Sequence, residues 1–217
     1  MKKSILSFLS LLAIAILPAI ANAGEAPYPA RPVRLLVSAP PGGTVDLVAR
    51  ILAPKLTAQM GRPFVVENKP GAGGVVCAEL LATAKPDGYT LGVLYSSFTT
   101  NAALRKISSY DPVKDIAPIA IAIKTPLLLA VFPGLGLKSV RDLVALAKAK
   151  PLLYSSAGNG TGAHLCGEKF KKMAGIQVTH VPYGGAAQSV TDIVTGQIQY
   201  TFTGPVVVLP WATNKGA

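Results

Sequence analysis

Residues that commonly bind metals are scarce in this sequence, which has 2 cysteines and 2 histidines among 217 residues. His164 and His180 form no Cys/His cluster with the spacing of a metal site, so we expect no metal ion and no other cofactor. Cys77 and Cys166 lie far apart in the sequence. A disulfide between them and two free thiols both remain open, and their position in helix-like segments favours free thiols.

Acidic residues are also few: 10 aspartates and glutamates stand against 21 lysines and arginines, and the formal net charge is +11. The basic residues are scattered apart from the short cluster of Lys169, Lys171 and Lys172, which a single aromatic residue, Phe170, interrupts. A nucleic-acid-binding surface needs a denser basic patch, so we expect no nucleic acid partner. The excess of positive charge instead favours mild attraction of anionic small molecules.

Motifs of the common enzyme classes are missing. The sequence contains no Gly-x-Ser-x-Gly turn and no Gly-Lys-Ser/Thr phosphate loop. The segment from Gly158 to Ala163 fits a loose dinucleotide pattern, but the next strand ends at Val181-Pro182-Tyr183 without an acid to bind a ribose. We therefore expect a protein that is not an enzyme. The alternative from another class is a secreted α/β hydrolase, which needs an activated serine near His164 or His180 with an acid behind it.

The N-terminus has the three parts of a secretory signal. Met1-Lys2-Lys3 is positively charged, Ile5 to Ile20 is almost wholly apolar, and Ala21-Asn22-Ala23 has the small-x-small pattern of a cleavage site. The apolar run is too short for a membrane span and contains Pro18 near its end. We therefore predict a cleaved signal peptide over residues 1–23 and a secreted, soluble mature chain.

The rest of the chain alternates strand-like and helix-like runs, which is typical of an α/β fold with mainly parallel sheets. Aliphatic runs such as Val33 to Ser38 are followed by glycine-rich turns and then by amphipathic helices. Thr44 is expected to cap the first helix, and the run from Ile116 to Ile123 is predicted to be a strand. The irregular stretch from Ser96 to Pro126 divides the chain into a first unit, residues 24–100, and a second unit, residues 101–217.

Glycine-rich loops follow several of the predicted strands and are the most informative local feature. In parallel α/β sheets a ligand binds beyond the carboxyl ends of the strands, where backbone N–H groups and helix N-termini favour an anion. Convergence of these loops would create a site for a carboxylate or a phosphate, although any one loop can equally be a tight turn. The loops are Pro40 to Asp46, Asn68 to Gly74, Ser155 to His164, and Val181 to Gly185.

Several segments, taken in order, resemble those of one protein family. The first half of the chain contains Pro40-Pro41-Gly42-Gly43-Thr44-Val45-Asp46, Val66-Glu67-Asn68-Lys69-Pro70-Gly71-Ala72-Gly73-Gly74, and Lys85-Pro86-Asp87-Gly88-Tyr89-Thr90-Leu91. The second half contains Tyr110-Asp111-Pro112-Val113-Lys114-Asp115, Tyr154-Ser155-Ser156-Ala157-Gly158-Asn159-Gly160-Thr161-Gly162-Ala163-His164-Leu165, and His180-Val181-Pro182-Tyr183-Gly184-Gly185. These segments are similar to the Bug family, the receptor proteins of tripartite tricarboxylate transporters.

The resemblance implies a periplasmic receptor with periplasmic-binding-protein-like architecture, in which two α/β lobes close on a ligand in the cleft. It implies capture of a small organic acid, either a mono-, di- or tricarboxylate or an amino acid, and delivery to the membrane permease subunits of the transporter. We expect a monomer. The family runs longer, and its C-terminal third completes the first lobe, so we expect the first lobe here to be incomplete. A receptor fragment that binds no ligand is a further alternative.

The resemblance also implies ligand contacts from loops of opposite lobes. Asp46 is expected to orient the near end of the ligand, directly or through water, or else only to balance the helix dipole. Thr161 is expected to donate its hydroxyl to a carboxylate, and His164 either contacts the ligand or braces its loop. Thr203 stands where family members often have an acid, which leaves the ligand class open. The expected ligand-binding residues are Gly42, Gly43, Thr44, Asp46, Ser96, Ser97, Ser155, Ala157, Asn159, Gly160, Thr161, His164, Tyr183 and Thr203.

Overall fold

The computed structural model of the protein describes residues 27–105 and 109–213. The expected signal peptide, residues 1–23, lies outside these ranges and stays a prediction. Within the ranges described, no helix is both long enough and apolar enough to cross a membrane.

The first sheet has three parallel strands, β1 (Val33–Val37), β2 (Phe64–Asn68) and β3 (Thr90–Val93), in the order β2-β1-β3. Successive side chains of a strand point to opposite faces. In β1 the neighbours Leu35 and Leu36 are both buried, so both faces of the central strand are covered. This burial on both faces explains why β1 is a nearly continuous aliphatic run.

Helices pack on both faces of this sheet. α1 (Thr44–Met60) contributes Val45, Ala49 and Ala53 to one hydrophobic cluster with β1. α2 (Val75–Ala82) and α3 (Ser97–Arg105) pack on another cluster with Tyr110. We call this sheet with α1, α2 and α3 lobe 1.

The expected helix cap at Thr44 is wrong by one residue. Gly43 is the N-cap residue of α1 and has extended backbone angles, whereas Thr44 is already helical. The Gly42-Gly43 turn lets the chain enter the helix one residue earlier, and no side chain among the described residues caps this end.

The second sheet has four strands: β4 (Leu128–Val131), β5 (Leu152–Ser156), β6 (Val178–Pro182) and β7 (Tyr200–Thr203). Their order is β4-β7-β5-β6, with β5 parallel to β6 and β7 and with β4 antiparallel to β7. The helices that follow these strands are α4 (Val140–Ala149), α5 (Gly162–Ala174), α6 (Ala186–Val194) and α7 (Pro205–Thr213). We call this sheet with α4 to α7 lobe 2. The predicted α/β fold with mainly parallel sheets is confirmed.

The strand expected from Ile116 to Ile123 is wrong. These residues have no regular secondary structure, and Ile119 and Ile121 are 82% and 74% exposed. A β-branched run forms a strand only where a neighbouring strand and a packed face support it, and within residues 27–105 and 109–213 no strand pairs with this run.

Two further observations concern the expected boundary between the two units and the state of the two cysteines. α3 runs continuously across the boundary expected between residues 100 and 101. Cys77 lies on α2 and Cys166 on α5, and both are free thiols.

Candidate functional site

The glycine-rich loops of the two lobes lie against each other. A Cβ atom added to Gly73 of lobe 1 would lie 2.3 Å from the Asn159 carbonyl oxygen of lobe 2. A Cβ atom added to Gly185 of lobe 2 would lie 2.2 Å from Cγ of Pro40 of lobe 1. Both distances are far below a van der Waals contact, so only glycine permits this approach. We call the region where these loops meet the interlobe junction.

Asn101 of α3 links the two lobes. Its side chain is 1% exposed, and Nδ2 donates to the Asn159 carbonyl at 3.1 Å and to the Gly73 carbonyl at 3.4 Å. The expected site residue Ser97, one turn earlier, donates its hydroxyl to the same Gly73 carbonyl at 2.5 Å. Ser97 therefore supports the glycine turn of lobe 1 rather than exposing its hydroxyl. No motif or periodicity in the sequence marks Asn101.

Two helices begin at the interlobe junction without a capping side chain. Gly43 is the N-cap residue of α1 and Gly185 is that of α6, and among the described residues no side chain caps either helix. The first turn of a helix has N–H groups without intrahelical partners and carries the positive end of the helix dipole. Each lobe thus presents one such helix end to the junction.

Asp46 holds the lobe 1 loop in place from within. Its carboxylate is buried, and it accepts hydrogen bonds from Gly42 N–H at 2.9 Å, Asn68 Nδ2 at 2.8 Å and Arg50 Nε at 2.9 Å. Burial alone would raise the pKa of Asp46, but the bonds from Arg50, Asn68 and Gly42 outweigh it and lower the pKa below its usual value. The carboxylate is fully engaged by the protein, so the structure does not support direct contact of Asp46 with a ligand.

Thr161 and His164 together shape the lobe 2 loop. The Thr161 hydroxyl donates to the Gly158 carbonyl at 2.7 Å and accepts from His164 N–H at 3.4 Å, which caps α5. His164 Nδ1 accepts from Gly160 N–H at 3.2 Å. The Thr161 hydroxyl thus directs its proton at the Gly158 carbonyl, and its donation to a ligand carboxylate stays a prediction. This bond from Gly160 lets His164 brace the loop, and a contact of His164 with a ligand stays a prediction.

Ser155 lies below the loop rather than on its surface. Its side chain is fully buried, with Oγ 2.7 Å from Oγ of Ser189, and its carbonyl accepts from Thr201 Oγ1 at 2.8 Å. The bond with Ser189 uses the Ser155 hydroxyl inside lobe 2, and the expected contact of Ser155 with a ligand stays a prediction.

A serine–histidine pair is present, but its surroundings differ from those of a hydrolase. Ser156 Oγ lies 2.8 Å from His180 Nε2, and Ser156 is 1% exposed. Burial, with the nearby charges of His164 and Lys171, lowers the pKa of His180 to about 4. Among the described residues no carboxylate is hydrogen-bonded to His180, because the neighbouring Glu168 accepts from Tyr154 and Lys171 instead. The pair therefore lacks the acid that orients the base in such enzymes.

Two hydroxyls at the interlobe junction are buried without a hydrogen-bond partner among the described residues: Tyr95 OH and Thr203 Oγ1. The Tyr95 hydroxyl lies 3.5 Å from the position of a Cβ atom on Gly43, and burial raises the pKa of Tyr95 to about 12. Thr203, which is 3% exposed, ends β7, and a Cβ atom on the next residue, Gly204, would lie 3.1 Å from Thr44 Oγ1. A buried polar group without a partner costs about 1–3 kcal/mol, so these hydroxyls suit contact with a ligand.

Tyr95 is a junction residue that the glycine motifs do not reveal, although its place in the sequence offers a signal. It lies two residues beyond the end of β3, and side chains just beyond parallel strands are the usual ligand contacts. Tyr200, at the opposite end of β7 from Thr203, also has an unpartnered hydroxyl, but its ring is packed in the core of lobe 2.

The remaining expected residues lie around the same junction. Gly42 is exposed with a positive φ of 79°, and Gly43 is buried at the start of α1. The Tyr183 hydroxyl donates to Asp192, and burial together with this bond raises the pKa of Tyr183 to about 12. Tyr183 therefore directs its hydroxyl at α6 and not at the junction. Ser96 is exposed, whereas Thr44, Ala157 and Asn159 are half-buried.

A cavity of about 530 Å³ lies elsewhere, between β4, α6 and α7. Its lining is apolar, with Phe132, Ile193 and Trp211 among the larger side chains. Trp211 has the only side-chain hydrogen-bond donor among its lining residues, and none of them is charged, so we place the candidate site at the interlobe junction.

Comparison with known proteins identifies the family. A family described as "Tripartite tricarboxylate transporter family receptor" matches residues 48–214. The chain belongs to this family. Protein BugT of Bordetella pertussis is 38% identical over 175 residues, which are 79% of this chain and 54% of BugT. The resemblance to the Bug family is confirmed.

Solved structures agree. "R. palustris Rpa4515 with adipate" has a TM-score of 0.80 and 33% identity over 85% of this chain and 63% of that one. "MatC (Rpa3494) from Rhodopseudomonas palustris with bound malate" has a TM-score of 0.77 and 27% identity over 85% of this chain and 64% of that one. The chain spans about half the length of the curated relatives it matches, 54% in the case of BugT, which agrees with the expectation of an incomplete lobe. The family and its solved members are binding proteins.

Proposed function

We propose that this chain is a periplasmic solute-binding receptor, which captures a small organic carboxylate between its lobes and delivers it to a tripartite tricarboxylate transporter permease. The observation that carries the proposal is the meeting of two uncapped helix N-termini, α1 from lobe 1 and α6 from lobe 2, at the interlobe junction. Family membership supports the delivery step, and the signal pattern of residues 1–23 supports secretion.

A carboxylate placed between these helix ends accepts backbone N–H donors from both lobes, and the two helix dipoles favour its negative charge. The proposal uses no side-chain cation, and Arg50 of α1 is already paired with Asp46 at 2.9 Å. Binding of one anion by both lobes would hold the junction closed, which is the signal a permease needs to distinguish a loaded receptor. Gly42, Gly43, Thr44, Asn159 and Gly160 contribute the loop surface in this proposal.

The proposal is tested by thermal unfolding of the purified chain with a panel of mono-, di- and tricarboxylates and amino acids. A ligand at about a hundred times its Kd adds roughly 2.7 kcal/mol to the stability of a folded receptor. We expect a cooperative transition that one class of acid moves upward and that the matching diamide, which lacks the carboxylate charge, leaves unchanged. Size-exclusion chromatography of the same sample is expected to show a monomer.

Two outcomes contradict the proposal. A cooperative transition that no acid moves removes the carboxylate assignment, and the absence of any cooperative transition shows a receptor fragment that does not fold alone. Delivery is tested separately by uptake of the labelled acid in cells with and without the gene for this chain. Equal uptake in both strains contradicts the delivery step while capture stands.

A further inference from the structure

The two buried hydroxyls that have no hydrogen-bond partner among the described residues lie beside the start of α1, one from each lobe. The Tyr95 hydroxyl approaches Gly43 from within lobe 1. Thr203 ends β7 of lobe 2, and the residue after it, Gly204, faces Thr44. Each of these hydroxyls can both donate and accept a hydrogen bond. They are therefore suited to a ligand group that can itself donate and accept a hydrogen bond.

The charges around the junction indicate which substituent of the ligand this group can be. The Asp46 carboxylate is occupied by three donors, and that of Asp192 is occupied by the Tyr183 hydroxyl. An ammonium group beside Gly43 would therefore meet no free carboxylate from either residue and would face the positive end of the α1 dipole. A neutral hydroxyl group needs no carboxylate partner and is not repelled by the positive end of the α1 dipole.

We propose that Tyr95 and Thr203 are specificity-determining residues that hydrogen-bond a hydroxyl substituent of the ligand, so that the site selects hydroxy acids over the corresponding amino acids. This inference rests on the proposed carboxylate receptor and names the ligand class of the same site. The α1 and α6 ends bind the carboxylate, and the two hydroxyls read the substituent on its carbon chain. An unsubstituted acid offers neither hydroxyl a hydrogen bond, and neither has a partner among the described residues.

The experiment is calorimetric titration of the purified chain with two matched sets of acids. The first set is succinate, malate and aspartate, and the second is propionate, lactate and alanine; within each set only one substituent changes from hydrogen to hydroxyl to ammonium. A neutral hydrogen bond in a buried site contributes about tenfold in affinity or less, and we take about fivefold for each of the two bonds. The hydroxy acid is therefore expected to bind about 25-fold more tightly than the unsubstituted acid. The amino acid is expected to bind most weakly.

Tyr95→Phe and Thr203→Val remove the two hydroxyls with almost no change in shape. Each variant is expected to lose about fivefold in affinity for the hydroxy acid, because one neutral hydrogen bond is removed. Affinity for the unsubstituted acid is expected to stay the same. Without added acid, the stability of both variants is expected to be unchanged or higher, because neither hydroxyl has a hydrogen bond to lose within residues 27–105 and 109–213.

The matched controls are Tyr110→Phe and Thr201→Val. The Tyr110 hydroxyl donates to the Phe98 carbonyl at 2.6 Å, and Thr201 Oγ1 donates to the Ser155 carbonyl at 2.8 Å. Both controls are expected to unfold at lower temperature and to keep the preference for the hydroxy acid.

The outcomes separate this inference from the function on which it rests. If acids bind the wild-type chain but Tyr95→Phe and Thr203→Val leave the preference between hydroxy, amino and unsubstituted acids unchanged, the inference is overturned and the receptor function stands. The same holds if the amino acid binds most tightly. If no acid of the wider panel binds the wild-type chain, the proposed function fails and the inference fails with it.

Discussion

Asn101 in lobe 1 donates from Nδ2 to the carbonyl oxygen of Asn159 in lobe 2 at 3.1 Å, and this bond joins the two glycine-rich loops of the interlobe junction. The bond uses the side chain of Asn101 but only the backbone of Asn159. Substitution of the two asparagines is therefore expected to have different consequences.

Asn101→Asp is expected to lower the free energy of unfolding at neutral pH by about 1–3 kcal/mol, because it replaces a buried donor with an acceptor. The new carboxylate would face the carbonyl oxygens of Gly73 and Asn159, which Asn101 now serves. Chemical denaturation of the purified variant measures the loss. Asn159→Ala is the control: it keeps the backbone carbonyl, so stability is expected to stay close to that of the wild type. Equal losses of stability in both variants would show that the hydrogen bond from Asn101 to the Asn159 backbone does not account for the loss.

Gly185→Ala is expected to weaken carboxylate binding by about tenfold or more, since forcing an extra carbon into a packed contact costs about 1–3 kcal/mol. The added Cβ atom would lie 2.2 Å from Cγ and 2.6 Å from Cδ of Pro40, in a stiff ring, so the two lobes would have to move apart. The backbone of Gly185 is extended, with φ of −176°, so the substitution adds no backbone strain.

Gly184→Ala is the matched control for Gly185→Ala. Its Cβ atom would meet only the side-chain oxygen of Gln188, at 3.6 Å, which is an ordinary contact. Titration with the acid that binds most tightly compares the two variants. If both bind like the wild type, contact between Pro40 and Gly185 is not needed for capture.

The sequence predicts the order of strands and helices well because the signals are local. Strands such as β1 and β5 and the glycine turns after them follow from hydrophobic patterning and from the special conformations of glycine. The run from Ile116 to Ile123 fails for the opposite reason: its strand propensity needs a partner strand, and pairing depends on residues distant in the sequence.

The candidate site is only partly predictable for a related reason. Asp46, Ser155 and Thr161 belong to the expected loops, but their polar atoms are used within the protein. Loop membership follows from the sequence, whereas the direction of a side chain depends on which partners lie within reach after folding. Tyr95 and Asn101 lie outside the glycine motifs. The place of Tyr95 beyond β3 offers a weak signal, whereas the importance of Asn101 is visible only once the lobes are in contact.

Asp46→Asn is expected to destabilise the chain by about 1–3 kcal/mol at neutral pH, because it disturbs buried bonds from Gly42, Asn68 and Arg50. The pKa of Asp46 is lowered in the folded state, despite the opposing effect of burial. A lowered pKa contributes stability that is present above the unfolded value of about 3.9 and is lost as the pH falls through the folded value. The difference in stability between wild type and Asp46→Asn should therefore shrink below about pH 4.

Denaturation with urea at several pH values measures this difference. Glu67→Gln is the control, because the pair between Glu67 and Arg34 is partly exposed and such pairs contribute little. A difference for Asp46→Asn that stays constant down to pH 3 would show that the carboxylate charge does not hold the loop.

His180 is expected to make the chain less stable in mildly acidic solution. Burial, first, and then the charges of His164 and Lys171 lower the pKa of His180 to about 4. A histidine with a lowered folded pKa contributes stability that is complete above its unfolded value of about 6.5 and is lost as the pH falls from there towards the folded value. The variant His180→Gln keeps a polar group near Ser156 and does not titrate. Wild-type stability should therefore fall more steeply than that of His180→Gln between about pH 6.5 and pH 4.

Ser156→Ala leaves the imidazole in place and is expected to keep the wild-type slope. Parallel curves for wild type and His180→Gln would mean that the imidazole titrates equally in both states, and the buried pair under the lobe 2 loop would then have no part in the acid sensitivity of the protein.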